Sequence, residues 1–208
     1  MSGGRRAGYL KNGFQVACID LRREKMRKFL AVSLVLACGL AQAAPAERAY
    51  RFADYPSPIY QGARHPVQLT QQWRDMRTRI REGYQSGKIG FAGSYVAVTW
   101  GCGTQCLNGA LVDARSGKIY ELTPLSTDHP LNACYRADGS MEPDIFHYQA
   151  GSRLFITENC HYADIAGRED VVTQFKTIYV YQWLEQQKRF ELLSKTVQRS
   201  SVPAEARY

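Results

Sequence analysis

The first regular pattern along the chain is an apolar stripe with helical spacing. It consists of Leu69, Trp73, Met76, Ile80 and Tyr84. Side chains that recur at intervals of three and four residues lie on one face of an α-helix. Thr70 is the predicted N-cap, and Gly83 or Gly87 marks the predicted end of the helix. Because such a stripe needs a partner surface, we expect it to pack in the core.

From residue 91 onward the pattern changes to the period-two alternation of β-strands. The candidate strands are 94–100, 109–113, 118–122, 146–149, 153–158, 171–184 and 189–195. Three pairs of them are separated by short turns that contain glycine or polar residues. Because short turns join only antiparallel neighbours, these hairpins predict an antiparallel meander.

Together these elements predict an α+β fold: an antiparallel β-meander or sheet of about six to seven strands, with one N-terminal amphipathic helix packed on it. Residues 44–67 contain four prolines without periodicity and are interpreted as an extended lead-in. Residues 68–200 are predicted to form a single disulfide-stabilised domain, and 201–208 a tail. The polar stretch 126–144 is predicted to be a long loop.

The longest candidate strand places a row of aromatic residues on one face: Phe175, Tyr179, Tyr181 and Trp183. If this row faces solvent, it offers planar surfaces to sugar rings or to a protein partner, because exposed aromatic patches mark interaction sites. If it faces the helix stripe, it belongs to the core. Burial is the favoured interpretation, since the helix needs a partner surface.

Residues 26–43 have the three parts of a secretory signal peptide. A basic start precedes the apolar run 29–40, and Ala41-Gln42-Ala43 supplies small residues at both A-x-A positions. This pattern predicts cleavage after Ala43 and a periplasmic or secreted protein, with 1–25 an upstream extension from a start codon assigned too early. The alternative is a lipoprotein anchored at Cys38.

The charge of the chain is concentrated near its N-terminus. The formal net charge is +8, but residues 1–43 hold eight basic and only two acidic residues, which leaves +2 for 44–208. No basic stripe is seen beside the aromatic row, so we do not expect nucleic acid as a partner. The run 29–40 is shorter than the roughly 20 apolar residues of a membrane span, and no transmembrane segment is expected in the mature chain.

Four of the six cysteines lie in the predicted mature chain: Cys102, Cys106, Cys134 and Cys160. An even number in an exported protein indicates two disulfides. Of the three possible connectivities we expect Cys102–Cys106 and Cys134–Cys160. The spacing matches neither a paired zinc motif nor the C-x-x-C of redox enzymes, so no metal and no cofactor are expected.

The residues of hydrolytic chemistry are sparse in this sequence. The mature histidines are His65, His129, His147 and His161, and none has the spacing of a metal motif. No G-x-S-x-G nucleophile motif is present. We therefore assign no catalytic residue and incline against an enzyme. The alternative is a thiol- or metal-dependent hydrolase that uses Cys102 or Cys106 with His161.

One block of the sequence has a specific motif. A strand ends in Trp100-Gly101-Cys102-Gly103-Thr104 and leads to a hairpin, 109–120, of the form G-A-x-x-D-x-x-x-G-K-hydrophobic-Y. This block resembles a family of small exported bacterial proteins of uncharacterised function. The resemblance continues weakly at 151–156, 179–183 and 189–193 and covers about half of the mature chain. It implies export and the fold, and it carries over no catalytic residue.

The glycine-rich end of that strand is a second candidate for partner binding. A rigid loop with exposed backbone amides loses little ordering entropy on contact. The candidate binding residues are Trp100, Gly101, Gly103, Thr104, Tyr179, Tyr181 and Trp183. The structural alternative is a strained turn whose Trp100 packs in the core. We expect an exported, non-catalytic binding or inhibitor-type protein of the periplasm or cell envelope, whose partner is a protein or a cell-wall glycan.

Overall fold

The computed structural model describes residues 50–126 and 131–207, without the side chains of the last two. The predicted signal peptide, the upstream extension 1–25 and Cys38 lie outside the described residues, as does His129. Residues 47–208 form one compact unit.

The described residues contain one α-helix, α1, and seven strands, β1 to β7. In chain order they are α1 Arg77–Ser86, β1 Tyr95–Gly103, β2 Cys106–Asp113, β3 Ile119–Glu121, β4 Phe146–Tyr148, β5 Leu154–Ile165, β6 Arg168–Leu184 and β7 Arg189–Pro203. Short 3-10 turns lie at Phe52–Asp54, Gln71–Met76, Thr123–Leu125 and Ala204–Arg207. The molecule is therefore mixed helix and sheet.

The strands divide between two antiparallel sheets, one with the order β1-β2-β3 and one with the order β4-β5-β6-β7. The expectation of a single sheet of six to seven strands is not confirmed. The chain leaves the first sheet after the three-residue β3, in a 3-10 turn that contains Pro124. Because proline has no backbone N–H to continue a ladder, the segment that follows crosses to the second sheet instead of extending the first.

The predicted helix is present, but its first turns are 3-10 rather than α-helical. The stripe begins in the turn Gln71–Met76 and continues into α1. Thr70 precedes this turn, and its side chain makes no capping hydrogen bond. The helix ends at Ser86 and is capped by Gly87, whose backbone N–H donates to the carbonyl oxygen of Gly83.

The first sheet separates two apolar layers. On one face the helix residues Trp73, Ile80 and Tyr84 pack against Val96 and the rest of a buried valine and alanine cluster. The opposite face packs against the second sheet in an aromatic core. That core contains Phe91, Tyr95, Leu111, Leu122, Leu125, Phe155 and Trp183. The order of layers is therefore helix, three-stranded sheet, four-stranded sheet.

The proline-rich lead-in is integrated into this unit. Residues 50–67 follow an irregular extended path that passes close to two turn glycines. A Cβ atom on Gly93 would lie 2.1 Å from the carbonyl oxygen of Pro58, and one on Gly117 would lie 1.8 Å from that of Pro66. Both glycines also have positive φ, so no other residue fits at either position without strain.

Candidate binding surface

The two predicted disulfides are present with the predicted connectivity. Cys102–Cys106 closes the tip of the β1–β2 hairpin, with a Cα–Cα distance of 5.1 Å. Cys134–Cys160 joins the segment before β4 to the middle of β5, with a Cα–Cα distance of 5.3 Å. Both distances lie in the normal range for disulfides.

The hairpin tip presents most of the first predicted patch to solvent. Every residue from Gly101 to Cys106 is exposed. Gly103 and Gln105 have φ values of +146° and +57°, which produce the irregular turn that the glycine pattern indicated. Trp100 is half-buried and packs against the helix-facing cluster. Gly101, Gly103 and Thr104 therefore lie on the surface. The Trp100 side chain is partly exposed and partly buried against the helix-facing cluster.

The aromatic row on β6 has two different environments. Trp183 is fully buried in the core between the sheets, where its ring lies edge-on to Tyr95 at 5.2 Å. Tyr181 is half-buried and packs at the border of that core. Tyr179 and Phe175 are also half-buried, but they belong to none of the three hydrophobic clusters of the described residues. The buried part of the row meets the three-stranded sheet and not the helix stripe that the sequence favoured.

Cross-strand neighbours surround the outer part of the row. Phe175 lies opposite His161 on β5 and Arg199 on β7, and Tyr179 lies opposite Lys195. We call these five residues the outer aromatic surface: His161, Phe175, Tyr179, Lys195 and Arg199. Directly opposite residues share one face of an antiparallel sheet.

The rings and cations of the outer aromatic surface are in close contact. The ring of His161 stacks on that of Phe175, with centroids 4.7 Å apart and planes 5° apart. Lys195 Nζ lies 5.2 Å from the centroid of Tyr179, and Arg199 Cζ lies 5.8 Å from that of Phe175. Both distances are within the range of cation–π attraction. His161, Lys195 and Arg199 are themselves exposed.

Lys195 and Arg199 were not among the residues that the sequence indicated. The predicted last strand ended at 195, whereas β7 continues to Pro203 and carries Arg199 alongside Phe175. Two basic residues therefore accompany an aromatic row beside which the sequence indicated no basic stripe. A hairpin at 185–188 already predicts that 189–203 runs back along 171–184, and extending that strand would have found both residues.

No carboxylate occupies the paired positions of this sheet face from Thr173 to Tyr179. On the three long strands these positions are Thr157, Asn159, His161, Ala163, Thr173, Phe175, Thr177, Tyr179, Lys195, Val197, Arg199 and Ser201, of which Thr157, Thr173 and Thr177 are buried. The acidic residues of the same part of β5, Glu158 and Asp164, pair with even-numbered residues of β6 and lie on the opposite face. The outer aromatic surface is therefore positive.

The opposite face of the four-stranded sheet is covered by residues 131–145. The Gln174 side chain holds this segment: its Nε2 donates to the carbonyl of Tyr135 at 2.9 Å, and its Oε1 accepts from the Tyr135 N–H at 2.8 Å. Tyr135 packs beside Val172 and Val202. One face of the sheet is thus closed by the chain itself, in contrast to the outer aromatic surface.

An ion-pair network lies beneath that covering segment. Lys176 Nζ is 2.5 Å from Glu142 Oε2 and 2.9 Å from Glu158 Oε2. Burial lowers the pKa of Lys176, but its hydrogen bonds to the two glutamates outweigh this and raise it. Cys134 offers the third atom of a potential metal-binding group with both glutamates. Its sulfur is bonded to Cys160, however, and thiolates rather than disulfides bind metals.

Two hydrogen bonds link the hairpin tip to the edge of the sheet that bears the aromatic row. The backbone N–H of Leu131 donates to the carbonyl of Gln105 at 2.8 Å. The next residue, Asn132, donates its N–H to Asn159 Oδ1 at 2.9 Å. Asn159 lies opposite Thr177, between the two rings of the outer aromatic surface. The two predicted patches are therefore joined by a short hydrogen-bonded path.

The residues of the hydrolase alternative are engaged in structural contacts. Cys102 and Cys106 are bonded to each other, so neither offers the thiolate that nucleophilic catalysis requires. His161 is stacked on Phe175. Of the remaining described histidines, His147 Nε2 lies 3.9 Å from Glu158 Oε1, and the backbone N–H of His65 donates to Ala114.

Within residues 50–126 and 131–207, no helix has the length and apolar character of a membrane span. Comparison with protein-family models, with curated proteins and with solved structures finds no match to this chain.

Proposed function

We propose that this chain is an exported, non-catalytic binding or inhibitor-type protein of the bacterial periplasm or cell envelope. It binds a protein or a cell-wall glycan through the outer aromatic surface. The observation that carries this proposal is that Phe175 and Tyr179 lie outside the hydrophobic clusters, with exposed cations and no carboxylate among their cross-strand neighbours. Aromatic side chains and arginine are enriched where proteins bind partners.

Export is supported by three features. The two disulfides are typical of proteins that fold where glutathione does not keep thiols reduced. Residues 26–43 have the pattern of a cleaved signal peptide, and the block 90–120 resembles small exported proteins. The mature protein then begins at Ala44 and is released into the periplasm or beyond.

The hairpin tip is a second contact region of the same surface. Its backbone is exposed from Gly101 to Cys106, and the Cys102–Cys106 bridge limits the conformations it can adopt when free. A loop that is already ordered loses less entropy on binding than a flexible one. The link through Leu131 and Asn132 supports joint contact of the tip and the outer aromatic surface with one partner.

The test is binding of the exported, oxidised protein to its two classes of partner. Purified cell-wall glycan is assayed by co-sedimentation, and envelope proteins are assayed by cross-linking through a photoreactive residue at position 197, an exposed neighbour of Phe175 and Tyr179. We expect one of the two to retain the wild-type protein. Tyr179→Ala should abolish that binding. Tyr60→Ala, at a half-buried tyrosine in the lead-in, is the matched control and should bind normally.

Two results would contradict the proposal. The first is equal binding by wild type and Tyr179→Ala, with circular dichroism that shows both to be folded. The second is hydrolysis or modification of an envelope component by the oxidised protein, which would make it an enzyme.

A further inference from the structure

We infer that the ligand of the outer aromatic surface is an acidic glycan, a chain of sugar rings that carry carboxylate groups. This inference rests on the proposed function and names the class of partner that this surface accepts. It is carried by the pairing of each aromatic ring on β6 with a cation directly opposite it on β7.

The spacing of the rings suits an extended chain of sugars. Phe175 and Tyr179 lie four residues apart on one strand, a distance of about 13 Å at the rise of a β-strand. That distance exceeds the length of a single sugar ring. A ligand that reaches both residues is therefore a chain, and it meets Phe175 at its ring edge, because His161 and Arg199 lie against that ring from the two neighbouring strands. The sheet face between the two rings carries Thr177, which is buried, and Asn159, whose Oδ1 accepts a hydrogen bond from Asn132.

Each of the two exposed cations lies directly beside one of the two rings. Arg199 lies opposite Phe175 and Lys195 lies opposite Tyr179, so each ring has a cation on the neighbouring strand. A ligand that extends past both aromatics would bring substituents of its sugar rings next to these cations. Carboxylates at those positions form charge-assisted hydrogen bonds, the strong kind, with the guanidinium of Arg199 and the ammonium of Lys195.

The charge pattern favours an acidic glycan over the other ligands that bind aromatic surfaces. A neutral glycan would leave Lys195 and Arg199 without counter-charges, whereas carboxylated sugars supply them. The positive face attracts polyanions, and in an exported protein the polyanions with stacking rings are acidic glycans. Single-stranded nucleic acid has the same two features, stacking bases and negative charge, and its binding is an outcome of the test.

The experiment compares polygalacturonate, a chain of carboxylated sugar rings, with dextran, a neutral glycan, by calorimetric titration of the mature oxidised protein. We expect polygalacturonate to bind and dextran to bind at least about tenfold more weakly, the ratio that the loss of one charge-assisted contact produces. Raising the salt concentration from about 0.05 M to about 0.5 M should weaken the binding, because exposed charges are screened.

The variants separate local from global charge effects. Lys195→Gln with Arg199→Gln removes two positive charges from the surface and should weaken polygalacturonate binding at least about tenfold. Arg74→Gln with Arg77→Gln removes two exposed charges from the helix layer, on the other side of the three-stranded sheet, and should leave binding unchanged. Tyr179→Phe keeps the ring and should bind, whereas Tyr179→Leu should not.

Three results would overturn the inference: equal binding of dextran and polygalacturonate, equal loss from both double variants, or tighter binding of an oligothymidylate than of polygalacturonate. Each of these leaves the proposed binding function in place if Tyr179→Ala still abolishes retention by the envelope partner. Failure of that retention assay contradicts the proposed function itself. The two failures are therefore distinguishable.

Discussion

The two ends of β6 carry the same alternation of aromatic residues and have opposite environments. At the C-terminal end, Trp183 is fully buried, and its ring contacts Tyr95, Tyr120 and Phe190. Toward the middle of the strand, Phe175 and Tyr179 have exposed cations beside them and lie outside the core clusters. Period-two alternation decides which side chains share a face, and the neighbouring layer decides which part of that face is buried.

The difference arises from the length of the two sheets. β1 and β2 have nine and eight residues, whereas β6 and β7 have seventeen and fifteen. The three-stranded sheet is thus shorter than the strands that it covers, and the covered end is the one that contains Trp183. On the opposite face, residues 131–145 provide a cover fixed by Cys134–Cys160 and by Gln174. The outer aromatic surface is left on the uncovered part.

The largest expected effect is that of truncating the buried ring. Trp183→Ala should lower the free energy of unfolding by about 3–5 kcal/mol, because it leaves a large cavity between the sheets. Tyr179→Ala removes a ring at the surface and should cost about 1 kcal/mol or less. Urea denaturation followed by far-ultraviolet circular dichroism measures both. Similar losses from the two variants would mean that the two ends of β6 do not differ as described.

The two disulfides should differ in how much they contribute to the free energy of unfolding. Cys134–Cys160 fixes the segment that covers the sheet, whereas Cys102–Cys106 only closes the hairpin tip. In the chain-entropy treatment, a bridge between residues 26 apart contributes about 3.5 kcal/mol and one between residues four apart about 2 kcal/mol. We therefore expect Cys134→Ala with Cys160→Ala to destabilise the protein more than Cys102→Ala with Cys106→Ala. Urea denaturation compares them, and the reverse order would show that residues 131–145 cover the sheet without that bridge.

The covered end of β6 should also make stability depend on pH through Glu185. This carboxylate accepts hydrogen bonds from Tyr95, Trp183, Arg115 and Lys188. Burial raises its pKa, but the hydrogen bonds outweigh burial and lower it from 4.5 to about 2. Its contribution is therefore complete above about pH 4.5 and is lost as the pH falls toward 2.

We predict that Glu185 stabilises the protein by about 1 kcal/mol near neutral pH, a value reduced for the screening of a carboxylate that is about one-third exposed. Glu185→Gln should remove this part of the acid dependence when unfolding is measured between about pH 2 and 6. Glu191→Gln, at an exposed glutamate of the same hairpin, is the control. An unchanged acid profile in Glu185→Gln would contradict the assignment.

The smallest expected effect on stability concerns the outer cations. Lys195→Gln with Arg199→Gln should change the free energy of unfolding by less than about 0.5 kcal/mol per residue, because both side chains are exposed. Thermal unfolding measures this change. A large loss would mean that the two cations hold the sheet together, and their role in ligand binding would then need another explanation.

Much of the fold could be predicted from the alternation and the turns. The hairpins at Gly117 and at 150–152, the long β6 and both disulfide pairs are present as expected. The separation into two sheets could not be predicted. Hairpin patterns identify which consecutive strands pair, but they do not show between which strands the backbone hydrogen bonding of a sheet ends. The three-residue β3 and Pro124 mark that point only in retrospect.

The candidate site was predictable in its rings and not in its cations. The spacing placed Phe175 and Tyr179 on one face, but the sequence favoured burial of the whole row, because exposure depends on the neighbouring layer, which the sequence does not state. The extent of β7 was underestimated because residues 196–203 are polar and lack apolar alternation. β7 is an edge strand, and edge strands commonly carry charged and polar residues.

The most direct test of the binding surface is hydroxyl-radical footprinting of the mature oxidised protein with and without polygalacturonate. We predict protection of Phe175 and Tyr179 on addition of the polymer, while the oxidation of Trp183 stays low in both samples because it is already buried. Protection confined to other residues, with Phe175 and Tyr179 oxidised equally in both samples, would contradict the assignment of this surface as the binding site.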